Sequence, residues 1–183
     1  MKILRVLSVV LTCFAATDVS AGTAPEATDV VLAIETAPVS AVRAMLNRCL
    51  PAVASDEPLS EAGLVPTGAA TAAHVLGGRE GQVWTDRKAA FILVNFADTP
   101  SCRIIAPDID LLVMGDLVTR LFTEADSPIA RERFKINEDG TFSAVYTAQG
   151  AKAGVIMSIS TGVGKAGAGF ATLSVERMTP FTH

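Results

Sequence analysis

Apolar and polar positions along this chain repeat with two periods, and prolines and glycines mark where one gives way to the other. Over residues 38–50, Val39, Val42, Leu46 and Cys49 recur at steps of three and four, the spacing of a single helical face. Pro38 suits the first turn of that helix and Pro51 closes the run. Short helical turns are expected after Pro58, ending at Gly63, and over residues 71–76, where Gly77 and Gly78 stop the chain. A longer helix is expected to open at Pro107 and Asp108. Asp110 faces the positive end of its dipole, and Leu111, Met114, Val118, Leu121 and Phe122 form its buried stripe. The other period is two. Residues 82–85, 90–96 and 102–105 read as strands, with turn chemistry at 86–88 and 98–101. In the last third, residues 131–136 lead through Asn137-Glu138-Asp139-Gly140 into residues 141–146, and two further strands span 155–160 and 170–177. The expected fold is α+β. About six antiparallel strands carry helices on one face, in the order α-βββ-α-βββ.

The first residues follow a different rule. Lys2 and Arg5 precede an apolar run over residues 6–16, and Val19-Ser20-Ala21 offers small side chains before Gly22. This is the order of a secretory signal peptide. The run is 11 residues long, against the roughly 20 a membrane span requires. Cleavage after Ala21 is preferred to lipidation at Cys13, because Thr12 and Leu11 precede that cysteine in place of small residues. The chain therefore divides into a signal peptide (1–21), a flexible lead-in (22–37) rich in small residues, and one α+β domain (38–183). The protein is expected in the periplasm or secreted, with no transmembrane span once processed.

Cleavage removes Lys2, Arg5 and Asp18, so 13 of 15 basic and 18 of 19 acidic residues remain and the charge is −5. An acidic domain repels phosphate backbones, which disfavours nucleic acid as a partner. Two of the three cysteines survive cleavage, Cys49 and Cys102. In an oxidising compartment an even pair has one intramolecular pairing, so a Cys49–Cys102 disulfide is expected.

Candidate chemistry is sparse. Residues 162–167 match the letters G-x-G-x-x-G, but the alternating segment that follows reads as a strand where a dinucleotide site needs a helix; a hairpin loop is expected and no cofactor. His74 and the terminal His183 are the two histidines, with no metal-ligand spacing around either, so no metal is expected. Asp108 with Asp110 and Glu138 with Asp139 are carboxylate pairs that helix-start and turn preferences explain. The polar faces of the strands are more informative. Regular alternation puts Arg131, Arg133 and Lys135 on one face, opposite Phe134 and Ile136. Ser158 and Ser160, then Thr172, Ser174 and Glu176, alternate with apolar residues in the same way. A solvated sheet face accounts for this pattern. So does a docking surface for an anionic or hydroxyl-rich partner, with Arg131, Arg133 and Lys135 as its contacts.

Cys49, Gly63-Leu64, Leu76-Gly77-Gly78 through Gly81 to Val83-Trp84, Ser101-Cys102-Arg103-Ile104 and the helix near Asp108 form a loose pattern over residues 49–112. In these elements the chain resembles an uncharacterised family of exported proteobacterial proteins and lipoproteins. The resemblance implies an envelope location and no activity. Two functions are expected on this basis. The first is a non-enzymatic binding or interaction module of the cell envelope, its partner an envelope protein or a glycan. The alternative is a small periplasmic hydrolase using carboxylates and His74 near Gly77-Gly78.

Overall fold

The period-two segments pair into a single sheet with more strands than their pattern suggested. A computed structural model describes residues 36–88, 90–122, 129–149, 153–164 and 167–178, all in one compact unit that begins at Thr36. The leader and most of the lead-in lie outside the described residues. Helix α1 (Ala37–Ala44) passes through a π-helical turn (Met45–Cys49) into α2 (Leu50–Ser55). Then follow β1 (Leu64–Pro66), α3 (Ala69–Leu76), β2 (Gly81–Asp86), β3 (Ile92–Phe96), β4 (Ser101–Ile109) and α4 (Leu111–Phe122). The chain continues with β5 (Ile129–Ile136), β6 (Phe142–Gln149), β7 (Gly154–Val163) and β8 (Gly169–Arg177). The sheet has eight strands rather than about six, in the spatial order β1-β2-β3-β4-β8-β7-β6-β5, and every pairing is antiparallel. The class is α+β as expected. The chain order departs from α-βββ-α-βββ: β1 and α3 come before β2, and the four period-two segments at the end all form strands.

The first helix begins at Ala37, within the expected lead-in, and does not stop at Pro51. A proline inside a helix lacks the N–H for the i−4 carbonyl and its ring crowds that carbonyl. Here the preceding turn is widened: the Leu50 N–H donates to Met45 O, five residues back, and Pro51 enters at the start of α2. The helix ends at Asp56, whose φ of 54° is left-handed. Arg177 of β8 closes that end. Its Nε donates to Val53 O at 3.1 Å and one terminal nitrogen at 2.7 Å, and the guanidinium also pairs with the Asp56 carboxylate. A cation on the last carbonyls complements the dipole and ties helix to sheet. A disulfide makes a second tie. Cys49, at the end of the π turn, and Cys102, in the middle of the sheet, are bonded and fully buried, with Cα atoms 5.3 Å apart.

The main core lies between this helical stretch, α4 and one sheet face, where Cys102, Val175, Met157 and Tyr146 form one cross-strand row and Ile104, Leu173, Ile159 and Ala144 the next. Helix α4 seats Met114, Val118 and Phe122 there, with Phe122 and Tyr146 ring centroids 4.6 Å apart. Each such buried side chain contributes about 1.5–3 kcal/mol of gross transfer free energy. Leu121, expected in that stripe, is exposed. Pro107 and Asp108, expected to open α4, belong instead to β4. There the register with β8 shifts between Ala106 and Ile109, and Asp108 takes a φ of 52°. An irregular stretch tolerates a proline that regular pairing excludes. Asp110 is the cap: its Oδ1 accepts from the N–H groups of Leu112 at 2.9 Å and Val113 at 3.1 Å.

The helices do not all share one face. α3 packs Ala72, Val75 and Leu76 on Val83, Val94 and Phe96, which point away from the main core. Gly77, left-handed at φ 58°, ends α3 as its sequence suggested. Residues 58–61 form no helix and lead to β1 instead.

Candidate functional site

With α3 over β2 and β3, no helix among the described residues covers the rest of that face, the open face, which spans β4, β8, β7, β6 and β5. Register fixes its rows. One runs Val94, Arg103, Ser174, Ser158, Val145, Arg133; the next runs Ile92, Ile105, Thr172, Ser160, Ser143, Lys135. A third runs Phe96, Ser101, Glu176, Ile156, Thr147, Ala130. Hydroxyl side chains therefore fill the centre, and cations stand at both sides. This protein is acidic overall, yet on this face Arg103, Arg133 and Lys135 outnumber Glu176 and Glu132, the latter bonded to Thr147 of the third row.

The edge strand β5 does not keep regular alternation. Arg131 pairs with Tyr146 and Arg133 with Val145, so Glu132 is an extra residue, a β-bulge. A slip of one residue turns every side chain before it to the other face. Arg133 and Lys135 stay on the open face. Arg131 joins the row of Tyr146, Met157 and Cys102 on the helical side, contrary to the expectation of three cations together. Its guanidinium lies 6.0 Å from the Phe134 ring centroid. Burial raises the Tyr146 phenol above its ordinary pKa, and the nearby Arg131 charge opposes that shift. Glu132 Oε1 accepts from Thr147 Oγ1 at 2.8 Å.

At the far side of the open face, two guanidinium groups share one ring. Arg79 lies 3.7 Å and Arg103 5.2 Å from the Phe96 centroid. Arg79 is neutralised. Its Nε and a terminal nitrogen donate to the two Asp98 oxygens at 2.9 and 2.7 Å, and it also bonds Thr99 Oγ1. That fork holds the Asp98 carboxyl below its ordinary pKa and raises Arg79. Arg103 has no such partner, and its enclosed Nε makes no hydrogen bond. Nothing in the candidate chemistry singled it out. The signal was present in β4, where Arg103 interrupts the apolar run between Cys102 and Ile104, and period two assigns it to the outer face.

No family model matches this chain, and no curated protein or solved structure does either. The residues themselves must carry the reading. His74 is exposed on α3, and among the described residues it has no hydrogen-bonded carboxylate. Asp110 caps a helix. Asp139 organises the β5–β6 turn, its Oδ1 accepting from Thr141 Oγ1 at 2.6 Å and Thr141 N at 3.0 Å, which lowers its pKa. The glycine-rich residues join β7 to β8, closed by Gly164 N–H donating to Ala168 O at 2.8 Å, so a strand follows them. Among the described residues no three His, Cys, Asp or Glu side chains gather as a metal site, and no helix is long and apolar enough to cross a membrane. The disulfide is compatible with an oxidising compartment.

Proposed function

We propose that this protein is an exported binding module of the cell envelope, cleaved after Ala21, which holds an anionic glycan chain on the open face of its sheet. Membership of the exported family suggested by residues 49–112 is part of this reading. The observation that carries it is the hydroxyl-lined face bordered by Arg133 and Lys135 on β5 and by Arg103 on β4. Serine and threonine hydroxyls both donate and accept, so Ser158, Ser160 and Thr172 match a sugar's hydroxyl groups. A protein partner fits less well, because protein interface cores favour aromatic residues and Arg and are depleted in Ser. The hydrolase alternative gains nothing from an exposed His74.

The test is titration of the oxidised protein with polygalacturonate, set against Arg133→Glu/Lys135→Glu. Two exposed contacts of about 0.5–1 kcal/mol each, lost and turned repulsive, weaken binding by roughly 10–100-fold. Added salt should weaken the wild type and weaken the double reversal far less, because screening there also relieves the repulsion at the two Glu residues. Affinity unchanged by the reversal would refute the docking face. Selective capture of an acidic protein, with no glycan binding, would reassign the partner class.

A further inference from the structure

We propose that Arg103 seats a carboxylate of that glycan, and that the chain then crosses β8, β7 and β6 toward Arg133. This rests on the docking reading above and specifies its ligand.

Arg103 is half-buried, and among the described residues it makes no hydrogen bond and no ion pair. Burying a cation without a counter-charge is costly unless something else supplies one. No neighbour pairs with it directly. Asp98 is bound in the fork from Arg79, and the exposed Glu176, diagonal to Arg103 in the adjacent row, acts on Arg79 and makes no ion pair with Arg103. The Phe96 ring under the guanidinium orients it without neutralising it. With Nε enclosed, the terminal nitrogens remain, and their planar pair of N–H donors matches the two oxygens of a carboxylate.

The direction of the chain follows from the register. Ser174, only 8% exposed, and Ser158 come next in the Arg103 row, then Val145 and Arg133. Arg103 and Arg133 are four strand spacings apart, about 19 Å. One small anion cannot touch both. A polymer with a repeating carboxylate can, and its second contact then forms at high effective concentration.

The probes are galacturonate, polygalacturonate, carboxyl-reduced polygalacturonate and polyphosphate, titrated into the oxidised full chain. Arg103→Met keeps the aliphatic stem on Phe96, and Arg103→Lys keeps the charge but not the fork; thermal unfolding checks that both fold. Both should bind polygalacturonate about tenfold or more weakly, as for loss of a charge-assisted pair. The carboxyl-reduced polymer should bind wild type and both variants alike, and weakly. Arg133→Glu should weaken the polymer and leave galacturonate unchanged, because the monomer reaches Arg103 alone. In the wild type, the Arg103 guanidinium NMR signals should shift with galacturonate. If wild type and both Arg103 variants bind polygalacturonate equally, the seat is overturned while the docking face stands. If the wild type binds none of the polymers, both fall. Tighter binding of polyphosphate through Arg103, or equal binding of the carboxyl-reduced polymer by wild type, overturns the carboxylate assignment.

Discussion

Removing the cross-link between Cys49 and Cys102 should be the most damaging conservative change to this protein. The bond joins residues 53 apart in sequence. The loop it closes in the unfolded chain holds α2, β1, α3, β2 and β3. For a loop of that size the chain-entropy relation gives about 4 kcal/mol at 25 °C. Both sulfurs are fully buried, so Cys49→Ala/Cys102→Ala also loses packing, while avoiding the buried hydroxyls that serine would introduce. Domains of this kind are stable by about 5–15 kcal/mol in total. The variant should therefore lose about a quarter to four-fifths of that stability, and its Tm should drop by about 8–16 °C. Urea unfolding can be followed through Trp84, the single tryptophan, which is buried in the main core. The cross-linked unfolded chain exposes less surface, so the wild type should show the smaller m-value and the higher midpoint. A variant within about 1 kcal/mol of wild type, with the same m-value, would show that the loop restriction is not what stabilises the fold.

Two further outcomes follow from single sites. A Cβ on Gly169 would lie 2.4 Å from Ile109 O and 3.0 Å from the Leu111 side chain, and a backbone oxygen in a paired strand cannot yield. Gly169→Ala should cost about 2–3 kcal/mol by overpacking, seen as a lower Tm; a Tm unchanged from wild type would contradict the close approach. In acid, the folded pKa of Asp98 lies below its ordinary 3.8 because Arg79 donates to it. The stabilisation is thus complete above that ordinary value and disappears as pH falls through the lower folded one. Wild type and Asp98→Asn should differ in stability at neutral pH and converge in acid, and stability curves that stay parallel throughout would remove the ion pair from the account.

What could be read from the chain was whatever local chemistry decides. Met114, Val118 and Phe122 recur at helical spacing, the turn residues 137–140 join two alternating runs, and Gly77 ends α3 as a left-handed residue must. What could not be read depended on neighbours distant in sequence. β1 has three residues and includes Pro66, so only its pairing with β2 makes it a strand. Pro107 and Asp108 looked like a helix start because nothing local announces that β8 continues the pairing of β4 as far as Ile109. Pro51 looked like a stop because the π turn that accommodates it leaves no mark in the apolar spacing. α3 packs on the second face because β2 and β3 are apolar on both: Val83 and Trp84 point opposite ways, as do Leu93 and Val94.

The bulge at Glu132 bears most on function, because it separates charges that spacing alone would unite. An exposed edge strand offers unpaired backbone groups to other chains, and bulges and charges are the usual protection. Residues 130–133 and Lys135 are all exposed, so β5 meets that need on both of its faces. The same insertion leaves Arg133 and Lys135 facing the hydroxyl rows and sends Arg131 toward Phe134 and Tyr146. Arg131 is thus a separable control for the open face. Arg131→Glu alone should leave polygalacturonate binding within about twofold, since it changes only a screened charge on the opposite side. Arg133→Glu alone should weaken that binding by about 1–2 kcal/mol. Equal losses from the two would mean that β5 acts as an undirected basic strip, and the face-specific reading built on the bulge would fail.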